Sequence, residues 1–268
     1  IHCSPTSIVV ENGNPNYDSR NNCNAIIETA TNTLLVGCHN TVIPNTVTGI
    51  TSGAFAGHVN LTAIAIPSNI TKIGRCAFAN CRNLTSIVVD DKNQVYDSRN
   101  NCNAIIETAT NTLIEGSNNT IIPNTITSIG ESAFLGRKLT SISIPNGVVS
   151  IDASAFQHCN ALTSVSIPSS VQNIGNSAFI MCTALTSVTC EATTPPLLEW
   201  GVFNYIPFAE ATLYVPAESI ELYKAAEQWK DFGSILPLAQ APSGVENVTS
   251  LDNYKQSHIK TLRNGQLI

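Results

Sequence analysis

Between Leu139 and Ala184 the chain writes one pattern of apolar and polar positions twice, LTSISIPNGVVSIDASAFQHCNA followed at once by LTSVSIPSSVQNIGNSAFIMCTA, a period of 23 residues. Leu139, Ile142 and Ile144 stand among Thr140, Ser141 and Ser143, an alternation that predicts a short strand with one face buried. Pro145 ends it, because proline cannot donate to a ladder. The segment Val148 to Phe156 then returns the chain, with Val148, Ile151 and Phe156 expected to point inward.

The same spacing of a proline and a phenylalanine eleven residues on recurs at Pro44/Phe55, Pro67/Phe78, Pro123/Phe134, Pro145/Phe156 and Pro168/Phe179. Between them lie aliphatic pairs, Val47/Ile50, Ile70/Ile73, Ile126/Ile129, Val148/Ile151 and Val171/Ile174. A unit this short cannot bury its own apolar face, so each coil must stack on the next and form one continuous core. The periodicity therefore predicts a solenoid.

Two longer stretches interrupt the simple period. Tyr17–Leu34, YDSRNNCNAIIETATNTL, is identical over eighteen residues to Tyr96–Leu113. Within it Ala104–Glu107 and Thr112–Glu115 flank Ala109-Thr110-Asn111, which reads as a β-hairpin. Two such insertions, about 11–40 and 90–118, are expected on one side of the solenoid, separated by the plain coil Leu61–Asn83. Each reads as an outgrowth that leaves the stacking coils unchanged, with the alternative that it extends the core through Ile26, Ile27, Ile105 and Ile106. Toward the end, Ala217–Trp229 carries Ile220, Tyr223, Ala226 and Trp229 at helical spacing and predicts a helix that caps the last coil, within a cap of about 191–238. Residues 1–238 thus read as one solenoid. Residues 239–268 read as a linker of turn-forming composition and the start of a β segment at His258–Ile268, with Asn264-Gly265 as its turn. Thr6–Val10 matches Thr85–Val89, so the chain opens inside a repeat and an export signal is expected upstream.

The pattern L-T-S-I-x-I-P-x-x-[VI]-x-x-I-G-x-x-A-F-x-x-C, carried by Leu61–Asn83 and Leu139–Ala184, resembles the BspA-like leucine-rich repeat family of bacterial surface proteins, as does the closing LYVPAESIELYKAAEQWKDF. The likeness spans about residues 5–236. It implies an α/β solenoid, a curved leucine-rich-repeat right-handed superhelix, β-rich, with two β-hairpin insertions and a C-terminal helical cap. It further implies export by an anaerobic gut or oral bacterium, and adhesive or protein-binding roles of the kind attributed to some members. The family offers no catalytic residue to carry over.

Charge and chemistry narrow the function. Only 12% of residues are charged and the net charge is −6. Nucleic acid is excluded as a partner, since its binding needs clustered Lys and Arg to neutralise phosphates. No apolar stretch approaches the roughly 18 residues a membrane helix needs. His2, His39, His58, His158 and His258 are isolated, and no hydrolase, phosphate-loop or dinucleotide motif is present. The chain reads as no enzyme, with no cofactor and no metal. Nine cysteines could suggest disulfides. Cys81, Cys159 and Cys182, however, each follow the repeat phenylalanine by three residues, which predicts stacked, buried, reduced thiols. Asp18, Arg20, Asn21, Asn22 and Asn24, repeated as Asp97, Arg99, Asn100, Asn101 and Asn103, lack the spacing of a calcium loop and read as turns satisfying their own backbone.

Two surfaces remain as candidates for binding. One is the hairpin pair, with Tyr17, Arg20, Tyr96 and Arg99, residue types that make strong interface anchors. The other is the outward strand face, Thr140, Ser141, Ser143, Thr163, Ser164 and Ser166, continued by Thr186, Ser187 and Thr189. The expected function is a monomeric, adhesin-like interaction module at the cell surface or secreted. Its ligand would be a protein of host extracellular matrix or another bacterial surface protein. Two alternatives stay open: a spacer displaying a C-terminal domain, and a carbohydrate-binding surface using Tyr17, Tyr96, Trp200 and Tyr205.

Overall fold

The computed structural model describes residues 5–242, together with the short strands Leu262–Arg263 and Gln266–Leu267. Of the expected linker and terminal β segment, most lies outside the described residues. The chain is a mostly β solenoid of about eight turns.

Each plain coil contributes a strand to two rows of parallel strands, here the first and second sheets, and both rows are broken where the second hairpin enters. The first collects the alternating strands: Ala63–Ile66 beside Ser86–Val89, and then Ser141–Ser143, Ser164–Ile167, Ser187–Cys190, Thr212–Val215 and Ser234–Pro237. Their register is one repeat per step, so Ile142, Val165, Val188, Leu213 and Ile235 lie in a row. The second sheet collects the aliphatic doublets as two-residue strands, with Ile50 beside Ile73 and with Ile129, Ile151, Ile174 and Leu198 in sequence. The phenylalanines stack at the corner after it. Phe134, Phe156 and Phe179 lie 5.0 Å apart ring to ring and nearly parallel. Phe203 continues the column 5.5 Å beyond Phe179.

The hairpins are not outgrowths. The strand Thr33–Gly37 pairs parallel with Gly49–Ile50, and Thr112–Gly116 pairs parallel with Ser128–Ile129, so each insertion builds further strands of the second sheet. Antiparallel partners Ala25–Glu28 and Ala104–Glu107, then Tyr17–Asp18 and Tyr96–Asp97, complete three-stranded meanders. Ile27, Leu34, Ile106 and Leu113 are fully buried. The physical reason lies in the period: Ile50 and Ile73 are one repeat apart, and Tyr96 falls one repeat beyond Ile73, so the meander enters at a doublet position and inherits its inward face. At its end Gly116 stands where plain coils have Ala-Phe. Its amide donates to Ala133 O at 2.8 Å, and the ring of Phe134 fills the space a Cβ would take. Gly37 does the same for Phe55.

The second insertion separates two hydrophobic clusters, one of residues 23–105 and one of residues 102–232. Arg137 bridges them with its side chain wholly buried. Its Nε donates to Gly116 O at 2.7 Å, its Nη1 to Phe78 O at 3.0 Å, and its Nη2 to the Glu115 carboxylate, which also accepts from the Phe78 amide.

The expected thirteen-residue cap helix is shorter. Among the described residues one α-helix is present, Ile220–Ala225, and Ala226 turns to extended backbone before a 3-10 turn at Trp229–Asp231. The break lets the Trp229 ring fold over Phe203 at 5.3 Å and donate Nε1–H to Pro196 O at 3.0 Å. Gln228 holds it there, accepting from Val202 N and donating to Glu199 O.

Candidate interaction surfaces

The repeated polar turn is occupied by its own backbone. Asp18 accepts from Arg20 through the backbone amide at 2.9 Å, Nε at 2.8 Å and Nη2 at 2.6 Å, and Asp97 receives the same three bonds from Arg99. The bonds from Arg20 hold the Asp18 carboxyl below its usual value, because they favour the ionised form. Asn21, Asn22 and Asn24 sit at φ of 59°, 51° and 53°, a left-handed conformation asparagine tolerates. Arg20 Nη1 reaches Asn32 and Thr46, and Arg99 Nη1 reaches Asn111 and Thr125. Both guanidiniums thus tie the turn to the hairpin loop and to the following coil. Half-buried and engaged, they are staples of the fold before they are anchors for a ligand.

The two tyrosines part company. Tyr96 is 5% exposed, and its hydroxyl accepts from the Ile73 amide at 3.2 Å, so it lies inside the stack against the preceding coil. Tyr17 is 38% exposed. The hairpin pair therefore does not present the matched Tyr and Arg anchors that the sequence suggests.

The strand face fares differently. Ser141, Ser164, Ser187, Thr212 and Ser234 lie in register across five parallel strands of the first sheet. Ser143, Ser166, Thr189 and Tyr214 form the next row. Thr140, Ser141, Thr163 and Thr186 are exposed, Ser143 and Ser164 half-buried. Ser166, read from the alternation as solvent-facing, is buried at 4%: its short side chain sinks between Ser143 and Thr189 on the flanking strands. Thr163 Oγ1 donates to Thr140 O at 3.0 Å, as Thr85 Oγ1 does to Thr62 O at 3.2 Å, so these hydroxyls turn back onto the preceding coil. The result is an uncharged strip of small hydroxyl side chains. Its single aromatic, Tyr214, sits near the capped end.

The largest exposed aromatics are elsewhere. Trp200 is 72% exposed and Tyr205 66%, beside Leu197 at 73%. They follow Thr194-Pro195-Pro196, where an extra residue slips the register so that Leu198 rather than Leu197 pairs with Ile174. That slip, and the sixth stacked ring at Phe203, escaped the sequence reading because Val202-Phe203 replaces Ala-Phe. The thiols of Cys81, Cys159 and Cys182 are fully buried and donate to the carbonyls of Phe55, Phe134 and Phe156 in the preceding coils. Burial pushes Cys81 and Cys159 up to about 12. Among the described residues every cysteine is a free thiol.

A family model described as BspA type leucine rich repeat region (6 copies) matches residues 35–116 and 115–221. Among solved structures, the chain is similar to a leucine-rich repeat protein from Eubacterium ventriosum, at 22% identity and a TM-score of 0.54, over 72% of this chain and 53% of that one. It is also similar to a leucine rich cell surface protein from Faecalibacterium prausnitzii, at 25% identity and a TM-score of 0.54, over 75% of this chain and 54% of that one. The chain spans about half the length of both. No curated protein matches it.

Proposed function

The chain belongs to the BspA-type leucine-rich repeat family, and on that premise we propose that it is a protein-interaction module of a bacterial cell-surface or secreted protein, adhesin-like in its use. The first-sheet strip is its binding face. The observation that carries this reading is the five-strand register of Ser141, Ser164, Ser187, Thr212 and Ser234. It makes an uncharged surface of short side chains that a partner can approach closely without stripping water from a charge. The hairpins, by contrast, engage their half-buried arginines in the fold's own hydrogen bonds and bury one of their tyrosines. A partner protein of host extracellular matrix or of a neighbouring bacterial surface suits such a face.

The experiment is capture from matrix and bacterial surface fractions, followed by titration of the captured protein. Replacing the exposed Thr140, Thr163 and Thr186 by Arg puts three long charges on the strip without touching the core. Affinity should fall at least tenfold with the melting curve retained. Unchanged affinity would move the binding face elsewhere. Exposed Trp200 and Tyr205 favour a second reading, sugar stacking on aromatic faces, and a glycan array with Trp200→Ala decides it.

A further inference from the structure

The corner that joins the two sheets lengthens by one residue after Thr189. Residues 144–149 join Ser143 to Ser150 and residues 167–172 join Ser166 to Asn173, six in each case, whereas seven residues, 190–196, join Thr189 to Leu197. Ser143, Ser166 and Thr189 lie in one row, and Ser150, Asn173 and Leu197 in another, so the extra residue is taken up in the corner itself. It bulges outward, and a cleft of about 460 Å³ opens between residues 191–197 and residues 169–173. That volume falls within the range of small-molecule sites, roughly 300–1,000 Å³.

The bulged wall is held from behind by the cap. Tyr223 Oη donates to Ala192 O at 2.8 Å, Ser219 Oγ to Thr193 O at 2.8 Å, and Trp229 Nε1 to Pro196 O at 3.0 Å. All three donors belong to buried residues. The opposite wall is anchored in the second sheet, where Asn173 pairs with Leu197. Both walls are therefore in place before a ligand arrives, and binding does not have to order them.

The lining is amphipathic. Gln172, Asn173, Thr193 and Thr194 bring amides and hydroxyls at exposed positions, while Val171, Pro195 and Leu197 supply apolar surface. Glu191 is the one charged residue that lines the cleft, so a phosphate, sulfate or carboxylate would meet no cation there. Hydroxyl groups set around an apolar ring face match both kinds of lining, because amides and hydroxyls each donate and accept. Trp200, three residues beyond Leu197, is 72% exposed. Its backbone amide donates to Asn176 Oδ1 at 2.9 Å, which sets it beside the coil that supplies Gln172 and Asn173.

We propose that this cleft is a binding subsite for a neutral sugar residue. Gln172, Asn173, Thr193 and Thr194 bond its hydroxyls, Pro195 and Leu197 meet its apolar face, and the next sugar of the same oligosaccharide stacks on Trp200. The site rests on the sugar-stacking reading given above and shares no residue with the strip of Thr140, Thr163 and Thr186.

The test screens the chain on a glycan array of neutral oligosaccharides and titrates the strongest binder by NMR. The side-chain amide resonances of Gln172 and Asn173 should shift together with the Trp200 indole N–H. Oligogalacturonate, with a carboxylate on every ring, should not bind. Asn173→Ala with Thr194→Ala, both at exposed positions, should weaken binding about tenfold, the loss of one or two hydrogen bonds, with the melting curve retained. The chain carrying Thr140→Arg, Thr163→Arg and Thr186→Arg should bind the oligosaccharide as before, and loss there would place the sugar on the strip instead. A shift of Trp200 without Gln172 and Asn173 would overturn the cleft and leave sugar stacking standing. Binding of no neutral oligosaccharide would overturn both, and equal binding of oligogalacturonate would overturn the neutral ligand.

Discussion

The guanidinium of Arg137 lies on the carboxylate of Glu115 with both side chains withdrawn from solvent, at the level where the second hairpin enters the stack. Arg137 stands three residues after Phe134, the place a cysteine takes after Phe78, Phe156 and Phe179. A thiol reaches back one coil. Here the level behind ends in Gly116, which offers neither ring nor thiol, and a longer donor is required to reach Phe78. Glu115 supplies the acceptor for the Phe78 amide, which elsewhere in the column is an alanine or valine carbonyl, as for Phe156 and Phe179.

Breaking this pair from one side is therefore costly. Arg137→Cys should lower stability by about 1–3 kcal/mol at neutral pH, because it leaves the buried Glu115 carboxyl without its partner. Adding Glu115→Val, the residue the first copy carries at Val36, should recover most of that loss, since an apolar replacement of a whole buried pair is commonly neutral or better. Urea denaturation of the two variants measures both. Equal stability of the single and double variants would show that the pair is not coupled.

The same pair gives a pH dependence. Burial pushes the Glu115 carboxyl from its ordinary 4.5 up to about 8, against the pull of Arg137. A raised pKa means the folded state holds the proton more tightly than the unfolded state. The contribution is then full below pH 4.5 and is lost as pH rises toward 8. Stability relative to Glu115→Gln, which does not titrate, should accordingly fall between pH 5 and 8. A difference that grows with pH would mean the carboxylate is ionised throughout.

Phe156 stacks on Phe134 and Phe179 at once. Truncation to alanine should cost about 3–5 kcal/mol, and because neighbouring coils share the contacts the loss should appear in the whole transition. A melting temperature unchanged within error would contradict a stacked core.

Cys81, Cys159 and Cys182 should resist a thiol reagent in the native state, for lack of both access and thiolate. All three should react in denaturant without reductant. Mass spectrometry that finds any of them in a disulfide after denaturation would overturn the ladder.

The coils themselves were legible because their signal is redundant: five proline-to-phenylalanine spacings and three cysteines in step leave one way to stack them. The hairpin strands were legible too, from Ala104–Glu107 and Thr112–Glu115 about a polar loop. Their place was not. A strand pattern states which face is apolar but not which neighbour covers it, so core extension through Ile26, Ile27, Ile105 and Ile106 stayed an alternative until the pairing of Thr112–Gly116 with Ser128–Ile129 placed the hairpin. For the same reason Tyr17 and Tyr96, one residue type in one identical motif, could not be told apart, although one is exposed and the other buried. Arg137 carried a signal that could have been used, a charged residue at a position otherwise held by cysteine. The cap helix ends at Ala225, where Ala226 turns extended and Trp229 goes on to cover Phe203.

The central claim is that the hairpins are levels of the solenoid core, and native-state hydrogen exchange tests it most directly. Gly116 N, Gly130 N and Thr127 N bond the second hairpin to the coil that follows it, donating to Ala133 O, Leu113 O and Asn111 O at 2.8, 2.8 and 3.0 Å. Phe156 N and Gly175 N make the corresponding bonds between plain coils, both at 2.7 Å. If the hairpin is a core level, the first group should exchange with protection comparable to the second, through the same cooperative opening. Exchange of Gly116, Gly130 and Thr127 orders of magnitude faster than that of Phe156 and Gly175 would show a hairpin that opens by itself, and would contradict the account.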